Sequence, residues 1–538
     1  MAVTSPAYYK GKFIGHMETS YADLILSTRE QKCIPNLKKM IFNFPNDLVL
    51  RSLEEQRSIR SIIKEENLNP NDYVSELRDY QTVGTAFMYL SPRSILGDGV
   101  GLGKTVEVAA LLNYLRQTNQ MTRFLIAVEN SAWSQVTAEL TRFTGMRVVS
   151  VPSEAAKLNK AIRKVDWHTV DGLVIKHSAL RSDAFSKWLA LNLNDDGTCK
   201  IFDTFILDES SVIKNQGTKT YDYTKNICNI SKRVHFLNAT TFETNIMDIY
   251  YQVDMMNEAL LPKKWRIEKE FCTFGTSTYW TKVGGKPKMN FRRDLTGYKN
   301  QDEFKKSLGL VYFGRCKADI GFDMPHIHKV YEVEPNNDQA IALNKGYRYM
   351  EVLNCPSLIP ELKLPTDRKH VPKLDRMLQL IENEFNDQSI MIYVFHNDAQ
   401  EKIKEELEKI GRKPVVLNGA CKDADREAAV NGFNSGKYDV IITNIKKSLN
   451  LHRGDVCIFY SVLTNPSAVF QTAGRIDRNV DDRVKTYILL LYKGTDEYNF
   501  FTNTVKQRAK DARDLTIDAK TTVDYFIESM IEDELITE

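Results

Sequence analysis

The sequence predicts an α/β protein: two parallel-sheet domains, a helical basic insert between them, and a small N-terminal α+β domain in front. Three observations lead there. Short β-type apolar runs alternate with helix-like segments in two stretches, 76–257 and 372–495, the rhythm of strand–crossover–strand units. A glycine-rich loop, ILGDGVGLGKT at 95–105, opens the helical run VEVAALLNYL in the first stretch. An apolar run ending in adjacent carboxylates, FILDE at 205–209, follows in the same stretch.

Residues 1–75, with KFIGHMETSYADLILS and KKMIFNFPNDLVL, read as an accessory domain. In 76–257 the strand candidates are FLIAV, RVVSV, GLVIK, TFILDE and RVHFLNA; in 372–495 they are SIMIYVF, KPVVLNG, YDVIITN, DVCIFYS and VKTYILLLY. Between them, 258–371 loses the strand rhythm and is rich in aromatic and basic residues, so a helical insert and linker is expected there. Residues 496–538 form a helical acidic tail. Its last fifteen residues hold six acids and no base, with Phe526, Ile527, Met530, Ile531 and Leu535 at near-helical spacing. Such a helix either docks a partner protein or packs on the chain itself.

The chain has 538 residues, with 73 Lys plus Arg against 70 Asp plus Glu, 42% hydrophobic and 27% charged residues. These are globular values that exclude a disordered chain, a collagen-like fibre and a uniformly basic coat protein. The longest apolar runs are six residues, against the roughly 20 a membrane-spanning helix needs. No membrane span is expected, and MAVTSPAYYK does not read as a secretion signal. The eight cysteines include no C-x-x-C pair, which points to free thiols in a reducing compartment and no structural zinc.

The glycine loop fits phosphate chemistry. Glycines let successive N–H groups curl around an anion, the helix N-terminus adds positive potential, and Lys104 reaches terminal phosphates while Thr105 ligates Mg²⁺. A strict G-x-x-x-x-G-K-[ST] match needs glycine where this chain has Asp98, and a plain glycine turn before a helix is the alternative. The strand ending in Asp208 and Glu209 weighs against it. One carboxylate suits Mg²⁺ held largely through water, and its neighbour can orient or deprotonate the attacking water. In QTAGRIDRN, Arg475 and Arg478 are one helical turn apart and can neutralise phosphoryl charge; a solvated basic turn is the bland alternative.

In this order the motifs resemble the Swi/Snf-like branch of the superfamily-two helicases, two-RecA-domain motors that translocate on double-stranded DNA. LRDYQ at 77–81 looks like the family's adenine-reading segment, GDGVGLGKT like its phosphate loop, and LDESSVIKNQGTKTY at 207–221 like its elaborated carboxylate strand. FLIAVENSAWSQVTAEL, IMIYVFHNDAQ, VVLNGACKDADREAAVNGFN, NLHRGDVCIFY and QTAGRIDR fall in family order, so the resemblance covers about 76–495. It implies ATP held by Arg78, Gln81, Gly99, Gly101, Leu102, Gly103, Lys104 and Thr105, Mg²⁺ held by Thr105 and Asp208, and catalysis by Lys104, Asp208, Glu209, Arg475 and Arg478. Trp133 would lie at a DNA-contacting loop. The coupling motif reads Asn238-Ala239-Thr240-Thr241-Phe242 and the fifth motif IKKSLNL, both departing from the family pattern.

The stretch from Lys263 to Asp319 carries fourteen Lys or Arg against six Asp or Glu. Such an excess neutralises phosphates without reading sequence. Lys286, Lys288, Arg292 and Arg293 are the candidate DNA contacts. The resulting expectation is a monomeric ATP-dependent translocase or helicase on duplex or branched DNA, serving replication, repair or recombination. Its location would be the cytoplasm, at the nucleoid of a bacterial or phage-infected cell, or the nucleus of a eukaryote. The rival expectations are an ATP-driven remodeller that displaces a protein without unwinding, and a degenerate ATPase serving as a DNA-binding scaffold.

Overall fold

Strands that are apolar along their whole length need cover on both faces, and the computed structural model places them in two all-parallel sheets whose central strands are buried along nearly their whole length. The structure describes residues 3–9, 12–19, 58–65, 77–130, 132–152, 154–239, 245–256, 261, 263–283, 286–308, 311–315, 320, 326–335, 371–421, 423–445, 449–463, 465–477, 483–515, 522–533 and 535. The chain divides into two compact units, residues 1–316 with 514–517, and residues 317–513 with 518–538.

In the first unit, β1 (Val3–Tyr9) and β2 (Lys12–Thr19) pair as an antiparallel ribbon. Helix α1 (Ile59–Glu65) buries Ile59, Ile62 and Ile63 against Leu77, against Ala86 of α2 (Asp79–Leu90) and against Ala110 and Tyr114 of α3 (Lys104–Gln117). The described helix of the expected 1–75 domain is thus part of the first unit's own core. The chain runs on through β3 (Arg93–Leu96), α3, β4 (Phe124–Val128), α4 (Trp133–Thr144), β5 (Val148–Val151), α5 (Ala155–Lys164), β6 (Gly172–Lys176), α6 (Asp183–Ala190), β7 (Thr204–Asp208), α7 (Lys219–Ile230), β8 (Arg233–Leu237) and α8 (Met247–Met256). Local signals set these boundaries. Ser182 and Thr218 cap α6 and α7 through their hydroxyls, and Gly145, at φ 62°, ends α4 in the left-handed conformation glycine favours.

The insert departs from the helical expectation. After α9 (Lys264–Phe271) the chain forms a long antiparallel ribbon, β9 (Cys272–Val283) with β10 (Lys286–Tyr298), before α10 (Gln301–Leu308) and the two-residue β11 (Tyr312–Phe313). The physical reason is legible afterwards: Thr, Tyr, Trp, Phe and Val are strand formers. Val283 pairs with Lys286 across the intervening Gly284-Gly285, the spacing of a tight hairpin. β11 then joins the first sheet, whose order is β11-β3-β8-β7-β4-β6-β5.

The second unit starts its sheet inside the stretch expected to be linker. β12 (His326–Val333) pairs in parallel along its whole length with β17 (Lys485–Tyr492). Between them come α11 (Pro372–Asn383), β13 (Ile390–Tyr393), α12 (Asn397–Lys409), β14 (Pro414–Leu417), α13 (Asp423–Asn434), β15 (Val440–Thr443), β16 (Val456–Phe459) and α14 (Pro466–Ala473), giving the order β12-β17-β16-β13-β15-β14. After β17 come α15 (Asp496–Asn499), α16 (Lys506–Leu515) and α17 (Thr522–Glu532). The acidic tail resolves in favour of self-packing: Val523, Phe526, Ile527 and Met530 of α17 are buried in the second unit's core, with Ile531 and Leu535 packed against it. That apolar face is used within the chain, which removes the basis for a partner docked there. Among the described residues no helix is long and apolar enough to cross a membrane.

Candidate nucleotide site

Ligands of parallel sheets gather at the carboxyl ends of the strands, and in the first unit the sequence-predicted residues converge there. The glycine loop leaves β3 and ends at α3. Gly101 and Gly103 have φ of 85° and 88°, a region that strains any side chain with a Cβ. Gly103 is constrained twice, because an added methyl would lie 2.6 Å from Gln81 Nε2. That amide donates to Leu102 O at 3.1 Å, the Tyr80 hydroxyl donates to the same carbonyl at 2.8 Å, and the Arg78 backbone N–H donates to Gln81 Oε1 at 3.1 Å. The adenine-side segment and the phosphate loop are therefore one hydrogen-bonded body. Lys104 Nζ donates to Asp98 O at 2.7 Å and Gly99 O at 3.3 Å, folding the ammonium over the loop.

β8 lies between β3 and β7, so Asn238 at its end sits between the loop and the carboxylate pair, its N–H donating to Leu96 O at 3.1 Å. Burial and the adjacent Glu209 charge push the Asp208 carboxyl up to about 7, opposed by the Lys104 ammonium; lysine and carboxylate thus share one electrostatic environment. Glu209 itself sits at φ 50°, ψ 56°. A non-glycine residue held there carries strain of about 1–3 kcal/mol, a pattern concentrated at functional sites. His177 Nε2–H donates to Asp208 O at 2.8 Å, and Ser210 Oγ donates to the Gln252 side chain at 2.5 Å, so the strand end is braced from both sides. Among the described residues no three His, Cys, Asp or Glu side chains converge. One carboxylate, Asp208, with the Thr105 hydroxyl is a hard-oxygen set that fits magnesium shared with phosphates rather than a resident cage.

Sequence reasoning missed a buried cluster beneath the loop. Asp98, the residue that breaks the generic loop pattern, is fully buried and forked by Arg315: Nε to Oδ1 at 3.2 Å, Nη2 to Oδ2 at 2.6 Å and the Arg315 backbone N–H to Oδ1 at 3.1 Å. Arg315 Nη2 also donates to Glu107 Oε1 at 3.0 Å and Nη1 to Tyr80 O. Burial, and next the Asp98 charge, hold the Glu107 carboxyl well above the usual range, against the pull of Arg315. The available signal was Asp98 itself, since a carboxylate in a phosphate loop needs a cation to compensate it.

Other predicted residues are placed differently. Arg475 is buried and donates from Nε to Gln471 O at 2.8 Å and from Nη1 to Leu449 O at 3.3 Å. These bonds tie it to α14 and to the fifth-motif segment of its own unit. Arg478 lies outside the described residues. The Trp133 indole donates to Val174 O at 3.2 Å, with Lys176 Nζ 4.6 Å from its ring centre. Lys286, Lys288 and Arg292 occupy alternate positions of β10, and Arg293 an intervening one. Arg293 is exposed, its guanidinium 3.5 Å from the Phe274 ring centre.

Two all-parallel sheets, the first with a lysine-ended glycine loop beside a strand-end carboxylate pair, define a RecA-like nucleoside-triphosphate motor. Family models match accordingly: the SNF2-related domain over residues 80–273 and the helicase conserved C-terminal domain over 372–480, together more than half of the chain. The chain belongs to the Swi/Snf-like branch of the superfamily-two helicases, a family of DNA-dependent ATPases. It is 22% identical over 476 residues to the Xenopus tropicalis SWI/SNF-related matrix-associated actin-dependent regulator of chromatin subfamily A-like protein 1, covering 84% of this chain and 47% of that protein. It is 25% identical over 416 residues to the uncharacterized ATP-dependent helicase YqhH of Bacillus subtilis (strain 168), covering 73% and 71%. A solved structure of a Dbp5 variant of S. cerevisiae, bound to RNA and ADP-BeF3, shares the fold, with a TM-score of 0.50 and 13% identity over 89% of this chain and 96% of that one. The chain spans less than half the length of the Xenopus tropicalis relative and of its Bos taurus and Xenopus laevis counterparts.

Proposed function

We propose that this protein hydrolyses ATP to translocate on duplex or branched DNA, in replication, repair or recombination. The observation that carries the reading is the lysine-ended glycine loop, tied to Gln81 through Leu102 O, at the same sheet as the strand that ends in Asp208 and Glu209. Arg78 and Gln81 take the base side, the N–H groups of Gly101, Leu102 and Gly103 cradle the phosphates at the α3 N-terminus, and Gly99, whose own N–H is held by Arg315 O, shapes the loop that presents them. Lys104 exchanges its loop carbonyls for the terminal phosphates. Thr105 and Asp208 are the oxygens that hold magnesium, which when bound draws charge from the phosphate oxygens. Glu209, at the end of a braced strand, orients or deprotonates the attacking water, and Arg478 is assigned to the charge developing on the transferred group. The basic ribbon β9–β10 supplies sequence-independent backbone contacts through Lys286, Lys288 and Arg292.

Glu209→Gln tests this directly. Nucleotide affinity by fluorescence titration should stay within about threefold, while turnover falls by at least about 10². Turnover equal to the unsubstituted protein would remove Glu209 from the chemistry.

A further inference from the structure

The phosphate loop is shaped by a segment more than two hundred residues away in sequence, joined to the basic ribbon through α10. β11 pairs with β3, Tyr312 opposite Ile95 and Phe313 opposite Leu96. The ladder then runs past the strand into the loop: Gly97 N–H donates to Phe313 O at 2.6 Å and Gly99 N–H to Arg315 O at 2.8 Å. There is no slack at this contact, since a methyl on Gly314 would lie 2.9 Å from Gly97 O. The side chain completes what the backbone begins. The Arg315 guanidinium, 7% exposed, forks Asp98, reaches Glu107 on α3 and Tyr80 O beside Gln81, and lies 4.7 Å from the Phe313 ring centre. One planar cation therefore ties together the start of the loop, the helix that ends it and the adenine-side segment. Upstream, α10 joins this strand to β10, with Phe304 buried against Phe271 at 5.3 Å between ring centres.

We propose that Arg315 is a positioning residue for the nucleotide, acting through Asp98, and that β11 carries DNA engagement of the ribbon into nucleotide affinity. This rests on the reading of the loop as the ATP site and of the ribbon as the DNA contact. Arg315 touches neither ligand; it sets the backbone that one of them binds. Lysine keeps the charge but cannot span three acceptors in one plane, and asparagine at 98 keeps the shape but loses the charge. By linkage, whatever DNA adds to nucleotide affinity, nucleotide adds to DNA affinity.

The test uses the full chain and a fluorescent ATP analogue, with and without duplex DNA, in the unsubstituted protein, Arg315→Lys and Asp98→Asn, each first checked for an intact thermal transition. Duplex DNA should tighten nucleotide binding in the unsubstituted protein. Both variants should bind nucleotide about tenfold more weakly and lose the DNA effect, while their DNA affinity without nucleotide stays within twofold; the double variant should be no worse than either single one. Folded variants with unchanged nucleotide affinity and a preserved DNA effect overturn the proposal. If Arg315→Lys fails to fold, Asp98→Asn alone decides it by the same two readouts. An unsubstituted protein that binds no nucleotide would instead sink the reading of the ATP site.

Discussion

Gly84 shows how single residues decide this site. It lies inside α2, where intrinsic propensity favours alanine over glycine by about 1 kcal/mol. Yet a methyl there would lie 2.3 Å from Glu107 Oε1 and 2.6 Å from Arg315 Nη2, and neither group can withdraw without leaving buried charge uncompensated. The contact outweighs the propensity. Gly84→Ala should therefore destabilise the first unit by about 1–3 kcal/mol in denaturant unfolding, and stabilisation by the propensity value would show that the cluster yields. The sequence displays Lys104, Thr105, Asp208 and Glu209 because glycine spacing and adjacent carboxylates are local patterns. Arg315 was not legible, because its partners Asp98 and Glu107 lie over two hundred residues away and a lone arginine carries no local signature. Arg475 was legible as a residue, whereas the carbonyls it bonds, 4 and 26 positions distant, were not.

At the scale of elements, β12 and the ribbon were among those the sequence concealed. β12, HIHKVYEV, mixes histidine, lysine and glutamate with its apolar residues and pairs with β17, at the far end of the second stretch. It also carries a titration the sequence could not announce. His328 is stacked between Tyr487 at 5.0 Å and Tyr525 at 4.8 Å, and burial, with the His326 charge second, lowers its pKa to about 3. A histidine depressed in the folded state contributes stability that is present above its unfolded value near 6.5 and is lost as pH falls toward 3. His328→Phe keeps a ring in the stack and removes the proton, so it should flatten the loss of second-unit stability between pH 6.5 and 4.5 by up to about 1.4 kcal/mol per pH unit. Identical pH dependence in guanidinium unfolding would exclude His328 as a source of that loss. On the ribbon, the register separates positions 286, 288 and 292 from 293. Neutralising all three of the first group should lower the salt slope of duplex binding by about 2–3, whereas Arg293→Gln, at the intervening position beside Phe274, should change it little. Equal slopes for the triple variant and the unsubstituted protein would place the backbone contacts elsewhere.

For the whole molecule, the near-neutral total of 73 basic and 70 acidic residues conceals a division that matters more than the sum: the basic excess is concentrated in 263–319, the stretch that holds the ribbon and the strand that reaches the phosphate loop. Both parallel sheets were legible because buried parallel strands are apolar throughout, so their alternation with helices survives in a single sequence. The insert was misread as helical because its aromatic and basic residues, taken as composition, obscured a two-residue periodicity around Gly284-Gly285. The tail was ambiguous because an amphipathic helix looks the same whether it packs on its own chain or on another. What unites the parts is the claim that ATP turnover is driven by duplex DNA. Steady-state ATP hydrolysis measured without nucleic acid, and with single-stranded DNA, duplex DNA, forked DNA and RNA, tests it most directly. The account predicts low basal turnover raised at least about tenfold by duplex or forked DNA and lost in Glu209→Gln; stimulation by RNA alone, or no turnover with any of them, would contradict it.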